Sequence, residues 1–348
     1  MIDLRKIKHL KLDEECTGAS PKYWVEIYGE RYLFKANYMG PEPVTKTNFG
    51  EALYSRLGKK LGFNCVDANL AVGVMNGQLV EGVLVRSFFR PDDVDSMHVN
   101  QLSSICMRNG IRDLYSNTAE AHIEEAQFFA RTFDKDIDMK QVRLDLRKLA
   151  IVDYFLGQGD RHTENIDFIF DKEGGMRVAP YFDNGHCLGF RIPYFAVMRM
   201  CEEMNNGIRP KEDMGDRSCY TLSDHTDDPP FVKNHKEIYT IFDKEIYTIF
   251  DMAKVCSHSP ELKKLVIDML NLDIVDELTQ LEKESGLELG EHYKQLANCI
   301  YTTRCEKFKS MVNMRNFQSQ NNRATYGLNK MLITDMKDPD SNKGGKSR

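Results

Sequence analysis

Residues 157–185 read GQGDRHTENIDFIFDKEGGMRVAPYFDNG, and this stretch decides how the rest of the chain is organised. Asp160 stands just after an apolar helix end, LAIVDYFLGQG, where Gly157 and Gly159 release the helix. Asn165 follows five positions later. Ile166, Phe168 and Phe170 alternate with Asp167 and Ile169 in a strand-like run, Asp171 to Gly175 supply a turn, and Val178 begins a second strand. A β-hairpin therefore carries Asn165 at its start and delivers Asp183, in Tyr181-Phe182-Asp183-Asn184-Gly185, at its far end. Phosphoryl transfer needs such a set: a carboxylate to orient or accept the proton of the attacking hydroxyl, and amide and carboxylate oxygens to hold Mg²⁺ against nucleotide phosphates. An Asp-rich turn on a solvated hairpin is the plain alternative. An isolated D-x-x-x-x-N is common, but its combination with DRH, a hairpin and DNG is much more specific.

Working outward, residues from Tyr23 to Tyr38, YWVEIYGERYLFKANY, alternate β-branched and aromatic with polar side chains on both sides of Gly29-Glu30, which predicts a hairpin. Asn48 to Leu61 predicts a helix, with Leu53, Leu57 and Leu61 recurring every four residues and Gly62 as the stop. Residues 68–89 return to strand composition. After Arg90-Pro91-Asp92-Asp93 helix formers dominate, as in AEAHIEEAQFFARTF and MKQVRLDLRKLAIVDYFLGQ, and continue through 260–283 and 290–316, with a polar break near 207–231. The outline is α+β and two-lobed: a β-rich part over 1–90, a helical part over 91–316 and a tail over 317–348 expected to be largely disordered. KEIYTIFD at 236–243 recurs at 244–251, which reads as a tandem duplication lengthening a helix or loop.

Composition narrows the function classes. The formal charge is −6, which disfavours a generic nucleic-acid binder, so any phosphate must be held locally. Nine cysteines form no CxxC pair and no zinc-ligand spacing, and read as reduced thiols. The start MIDLRKIK is charged throughout, unlike the apolar stretch expected of a secretion signal, and no apolar run reaches the roughly 18 residues of a membrane helix. A cytoplasmic protein without a membrane span is expected; export to a host cell by a signal-independent route stays open.

The GDRHTEN loop and the following DNG resemble those of the HipA-like serine/threonine kinases, including the compact stand-alone members called cell-translocating kinases, and also the GDRHxxN loop of phosphatidylinositol kinases. The resemblance implies a protein-kinase-like fold, with a β-rich N-lobe carrying a phosphate loop and a helical C-lobe. It implies ATP and Mg²⁺ as cofactors, Asp160 as catalytic base, and Asn165 and Asp183 as metal ligands. Arg161 and His162 would order the loop rather than react. Thr17-Gly18-Ala19-Ser20-Pro21-Lys22 resembles the family's phosphate loop, placing Gly18, Ala19, Ser20 and Lys22 at the nucleotide. Lys35 would meet nucleotide phosphates and pair with Glu51 in the helix that follows. Val85, Arg86, Ser87 and Phe88 resemble the segment that meets adenine.

The resemblance runs in order over most of residues 15–310. Departures accompany it. HipA-like toxins carry a further N-terminal subdomain ahead of the phosphate loop, whereas here the loop starts near residue 17, so either the kinase is compact or a separate small protein supplies that part. Glu15 stands where the toxins carry a regulatory serine, leaving Thr17 and Ser20 as alternative phosphorylation sites. The expected reaction is transfer of the γ-phosphoryl group to Ser or Thr of a protein, with autophosphorylation, in a bacterial effector or toxin. A lipid or small-molecule kinase is the alternative enzyme, and a pseudokinase binding module the alternative without catalysis. The segment from Arg191 to Arg217 mixes basic with acidic residues and so favours a protein over an anionic headgroup.

Overall fold

Two tight turns shape the first sheet. Tyr28 (φ 53°) and Gly29 (φ 82°), and again Asn76 (φ 51°) and Gly77 (φ 76°), place two successive residues in the left-handed region. That is the backbone of a two-residue hairpin turn whose twist matches its strands. A computed structural model describes residues 2–6, 10–11, 20–37, 45–111, 117–207, 249 and 251–318. In it the first turn joins β3 (Lys22–Ile27) to β4 (Glu30–Ala36), one residue earlier than the Gly29-Glu30 corner expected, because both turn positions need positive φ. The second joins β5 (Ala68–Met75) to β6 (Gln78–Arg86). With β1 (Ile2–Asp3) and β2 (Leu10–Lys11) they form a six-stranded sheet of order β1-β5-β6-β4-β3-β2. Phe34 is fully buried on one face beneath Gly73 and Gly82, where an added Cβ would stand 2.7 Å from its ring.

Helix α1 (Thr47–Leu61) crosses from this sheet to the helical lobe. Gly62 closes it in the left-handed conformation, as the sequence signals. Its Phe49, Leu53, Tyr54 and Leu57 are buried in the same core as residues of the later helices.

The helical lobe follows with α2 (Val99–Arg108), α3 (Ala119–Thr132), α4 (Met139–Leu156), α5 (Tyr194–Asn205), a helical run at 251–256, α6 (Pro260–Leu270), α7 (Ile274–Ser285) and α8 (Glu291–Gln318). The helix-rich run over 260–283 divides into two helices, because Asp273 caps a new start by accepting the Asp276 N–H at 3.0 Å. This lobe also holds a sheet of its own, of order β7-β9-β10-β8, from β7 (Asp93–His98), β8 (Asp136–Ile137), β9 (Asp167–Asp171) and β10 (Gly175–Val178). The expected hairpin is β9–β10. The duplicated octapeptide, apart from Ile249 and Asp251, and the tail after 318 lie outside the described residues.

Candidate active site

Period-two alternation along β4 sends Phe34 and Ala36 into the sheet core and Lys35 to the opposite face, over a cleft of about 420 Å³. The Lys35 Nζ donates to Glu51 Oε1 at 2.6 Å and also contacts Asp183 Oδ1. Glu51 is nearly fully buried, and its Oε2 accepts the Asn184 N–H at 3.1 Å. One carboxylate on α1 thus fixes both the lysine and the DNG turn. Burial acts to raise the Asp183 carboxyl, but Lys35 overrides it and holds the group down to about 2. Burial likewise opposes the charge on Lys35, and the two carboxylates keep that lysine protonated. Lys22 stands directly across the β3–β4 pair from Lys35 and lines the same cleft, adding a second cation.

The loop after α4 is built by local bonds. Gly157, left-handed at φ 59°, ends the helix. The Asn165 Nδ2 donates to the Asp160 carbonyl at 2.9 Å, closing the loop. Gln158, fully buried, donates from Nε2 to the Asp183 carbonyl at 3.0 Å and accepts the Asp160 N–H at 3.3 Å. Arg161 is also fully buried. It pairs with Asp153 at 2.9 Å and donates to the Phe182 carbonyl at 2.5 Å and to Asn184 Oδ1 at 2.6 Å. Burial disfavours its charge, but the Asp153 carboxylate more than restores it. Tyr54 of α1 donates to the same Asp153 at 2.6 Å, so one buried network joins α1, α4, the loop and DNG.

Asp160 keeps its carboxylate partly open to the cleft. His186 Nδ1 lies 3.0 Å from its Oδ2 and holds the carboxyl below its usual range. Asp160, Asn165 and Asp183, separated in sequence, all line the cleft. Ser20, Lys22, Lys35 and Glu51 line it too. Gly18 and Ala19, like Thr17, lie outside the described residues. Val85, Arg86, Ser87 and Phe88 do not line this cleft. Val83 and Phe182 do, with Val85 on the same apolar face of β6 as Val83 and Phe88 stacked on Phe182 at 5.8 Å. Arg86 turns to the other side and pairs with Glu30 at 2.9 Å.

The donor set fits a hard divalent cation shared with phosphate. Because Asn165 spends its Nδ2 on the Asp160 carbonyl, its Oδ1 is left without a donor among the described residues, and Asp183 keeps Oδ2 beyond the Lys35 contact. Among the described residues no three His, Cys, Asp or Glu side chains gather into a metal cage of their own. Magnesium does not require one, since it takes one or two protein oxygens plus water and phosphate. Asn48, 1% exposed and lining the same cleft, has neither side-chain amide atom bonded, which suits a polar ligand there. Sequence reading passed over Gln158, Asp153, His186, Asn48 and His98. Gln158 and His186 had a local signal, the first standing between Gly157 and Gly159 and the second directly after DNG.

A β-rich lobe over a helical one, with a lysine–glutamate pair above a DNG turn, defines a protein-kinase-like fold. The chain belongs to the HipA-like kinase family: the family model described as HipA-like C-terminal domain matches residues 15–213. Among solved structures it is similar to a Helicobacter pylori proinflammatory kinase, CtkA, at 14% identity and a TM-score of 0.60, over 92% of this chain and 98% of that one. It is also similar to the HipA toxin–antitoxin system of Shewanella oneidensis MR-1, in complex with HipB and operator DNA, at 15% identity and a TM-score of 0.47, over 84% of this chain and 65% of that one. The likeness to CtkA concerns the fold. No curated protein sequence matches. No helix among the described residues is long and apolar enough to cross a membrane.

Proposed function

We propose that the protein is an ATP- and Mg²⁺-dependent kinase that transfers the γ-phosphoryl group to a serine or threonine hydroxyl of a protein, its own included. The observation that carries this reading is the gathering of Lys35, Glu51, Asp160, Asn165 and Asp183 around one cleft. Lys35 and Lys22 meet phosphate oxygens, and Glu51 keeps Lys35 extended across the cleft. Asn165 and Asp183 would hold the cation, which neutralises charge on the phosphates when bound. Asp160, kept ionised, accepts a hydrogen bond from the acceptor hydroxyl and aims its oxygen at the γ-phosphorus. As the new O–P bond forms, the bond to the bridging β-γ oxygen breaks. ADP leaves, and the hydroxyl proton passes to Asp160 and on to water.

A protein acceptor suits the surface beyond DNG, where exposed Arg191 and Arg199 are offset by Glu202 and Glu203 rather than forming a basic patch. The decisive experiment is mass spectrometry of the purified protein after incubation with MgATP. Phosphate on its own Ser or Thr is expected, and Asp160→Ala should lower turnover by about 10²-fold or more while remaining folded. A near wild-type rate in that variant would refute the assignment.

A further inference from the structure

The cleft holds a second carboxylate–imidazole pair that the mechanism above does not use. His98 is the last residue of β7 and Asp167 the first of β9, and the two are partners in the register of that antiparallel pair. His98 Nδ1 lies 2.5 Å from Asp167 Oδ1. The carboxylate is buried, with 7% of its side chain exposed, whereas 46% of the imidazole is exposed and lines the cleft with Asp160, His162, Glu164 and Asn165.

This placement is over-determined. His98 caps α2, and its N–H donates to Gln101 Oε1 at 3.2 Å. The next residues dock on the catalytic loop: Val99 N–H donates to the Ile166 carbonyl at 2.9 Å, and Asn100 Nδ2 to Glu164 Oε1 at 3.1 Å. A buried carboxylate gripping one ring nitrogen fixes the orientation of the ring and leaves the other nitrogen to a ligand. Nε2 has no partner among the described residues. A hydroxyl, which both donates and accepts, satisfies that nitrogen whether or not it carries a proton.

We propose that His98, oriented by Asp167, is a hydroxyl-binding group of the cleft, taking up either the nucleotide ribose or the hydroxyl of the acceptor side chain. The inference rests on the kinase reading and adds a ligand contact to it. Asp167 is a positioning residue, acting only through the ring it holds.

The test uses the full chain and His98→Asn, because Asn keeps a good N-cap for α2 but is too short to reach the ligand. Calorimetry compares MgATP with its 2′-deoxy and 3′-deoxy analogues, and steady-state kinetics follow a phosphorylated acceptor peptide. If the ribose is bound, the wild type prefers ATP over one deoxy analogue by about five- to tenfold, and His98→Asn erases that preference. If the acceptor is bound, ATP affinity is unchanged and the acceptor KM rises by a similar factor. Asp167→Asn should move the same arm in the same direction, a pattern that a merely structural role for the pair would not produce. If wild-type and variant proteins agree in both arms, the inference is overturned and the kinase reading stands. Failure of the wild type to bind MgATP would overturn both.

Discussion

Asp183 holds its backbone in the left-handed region, at φ 55°, where only Gly, Asn and Asp sit at modest cost. That conformation turns the carboxylate toward Lys35 while its carbonyl accepts from Gln158. The replacement Asp183→Asn therefore tests the charge and spares the backbone. With a folded value of about 2, below the ordinary 3.8, the ionised pair with Lys35 stabilises the fold above about pH 4 and loses that contribution as pH falls toward 2. The stability gap between wild type and Asp183→Asn, read by urea denaturation, should be constant from pH 7 to about 5 and shrink below about 4. A gap that holds its size at the lowest pH would show that the pair does not depress the carboxyl. Much of the site at this scale was legible. Asp160, Asn165 and Asp183 lie in one compact motif, and Lys35 precedes Glu51 by a strand-to-helix spacing. The residues that brace them were not, since Tyr54 meets Asp153, and His98 meets Asp167, only through long-range packing.

Among the elements, α1 seats the DNG turn and lines the cleft with Thr47, Asn48 and Glu51. Its Gly50 backs onto Gly185 so closely that an added Cβ would lie 2.8 Å from the Gly185 carbonyl oxygen. An added Cβ on Gly185 would lie 3.0 Å from the Thr47 carbonyl in turn. The helix and the DNG turn are thus mutually seated, with Glu51 one residue beyond the contact. Gly50→Ala should push them apart, lowering stability by about 1–3 kcal/mol and weakening MgATP binding, both measurable by thermal shift with and without nucleotide. Unchanged melting and unchanged nucleotide stabilisation would show that the seat is loose. Helix α1 was readable from its leucine spacing and terminal glycine. Strand β7 was not, because DVDSMH is polar and largely exposed, so neither alternation nor an apolar run marks it. It is recruited by β9, which buries both faces.

At the scale of the molecule, α1 is tied to the helical lobe from behind as well. Arg56 pairs with Glu277 at 2.7 Å and Glu284 at 2.8 Å, and Lys60 also contacts Glu277, whose side chain is only 5% exposed. Burial works to raise the Glu277 carboxyl, but the two cations prevail and lower it. A double-mutant cycle on Arg56→Ala and Glu277→Ala should give a coupling of about 1 kcal/mol that weakens at high salt. No measurable coupling would remove this link from the account. The division into a β-rich and a helical lobe was visible as a shift in composition. The buried apolar face shared by α1 and the later helices was not, because nothing local in a leucine repeat says which lobe it will join.

Seated on the DNG turn in front and anchored by paired charges behind, the glutamate-bearing helix has little freedom to rotate outward. On the kinase reading, a compound that needs this helix displaced would have to break both the Gly50–Gly185 seat and the Arg56–Glu277 pair, which favours competitors that fill the Lys35 cleft as it stands.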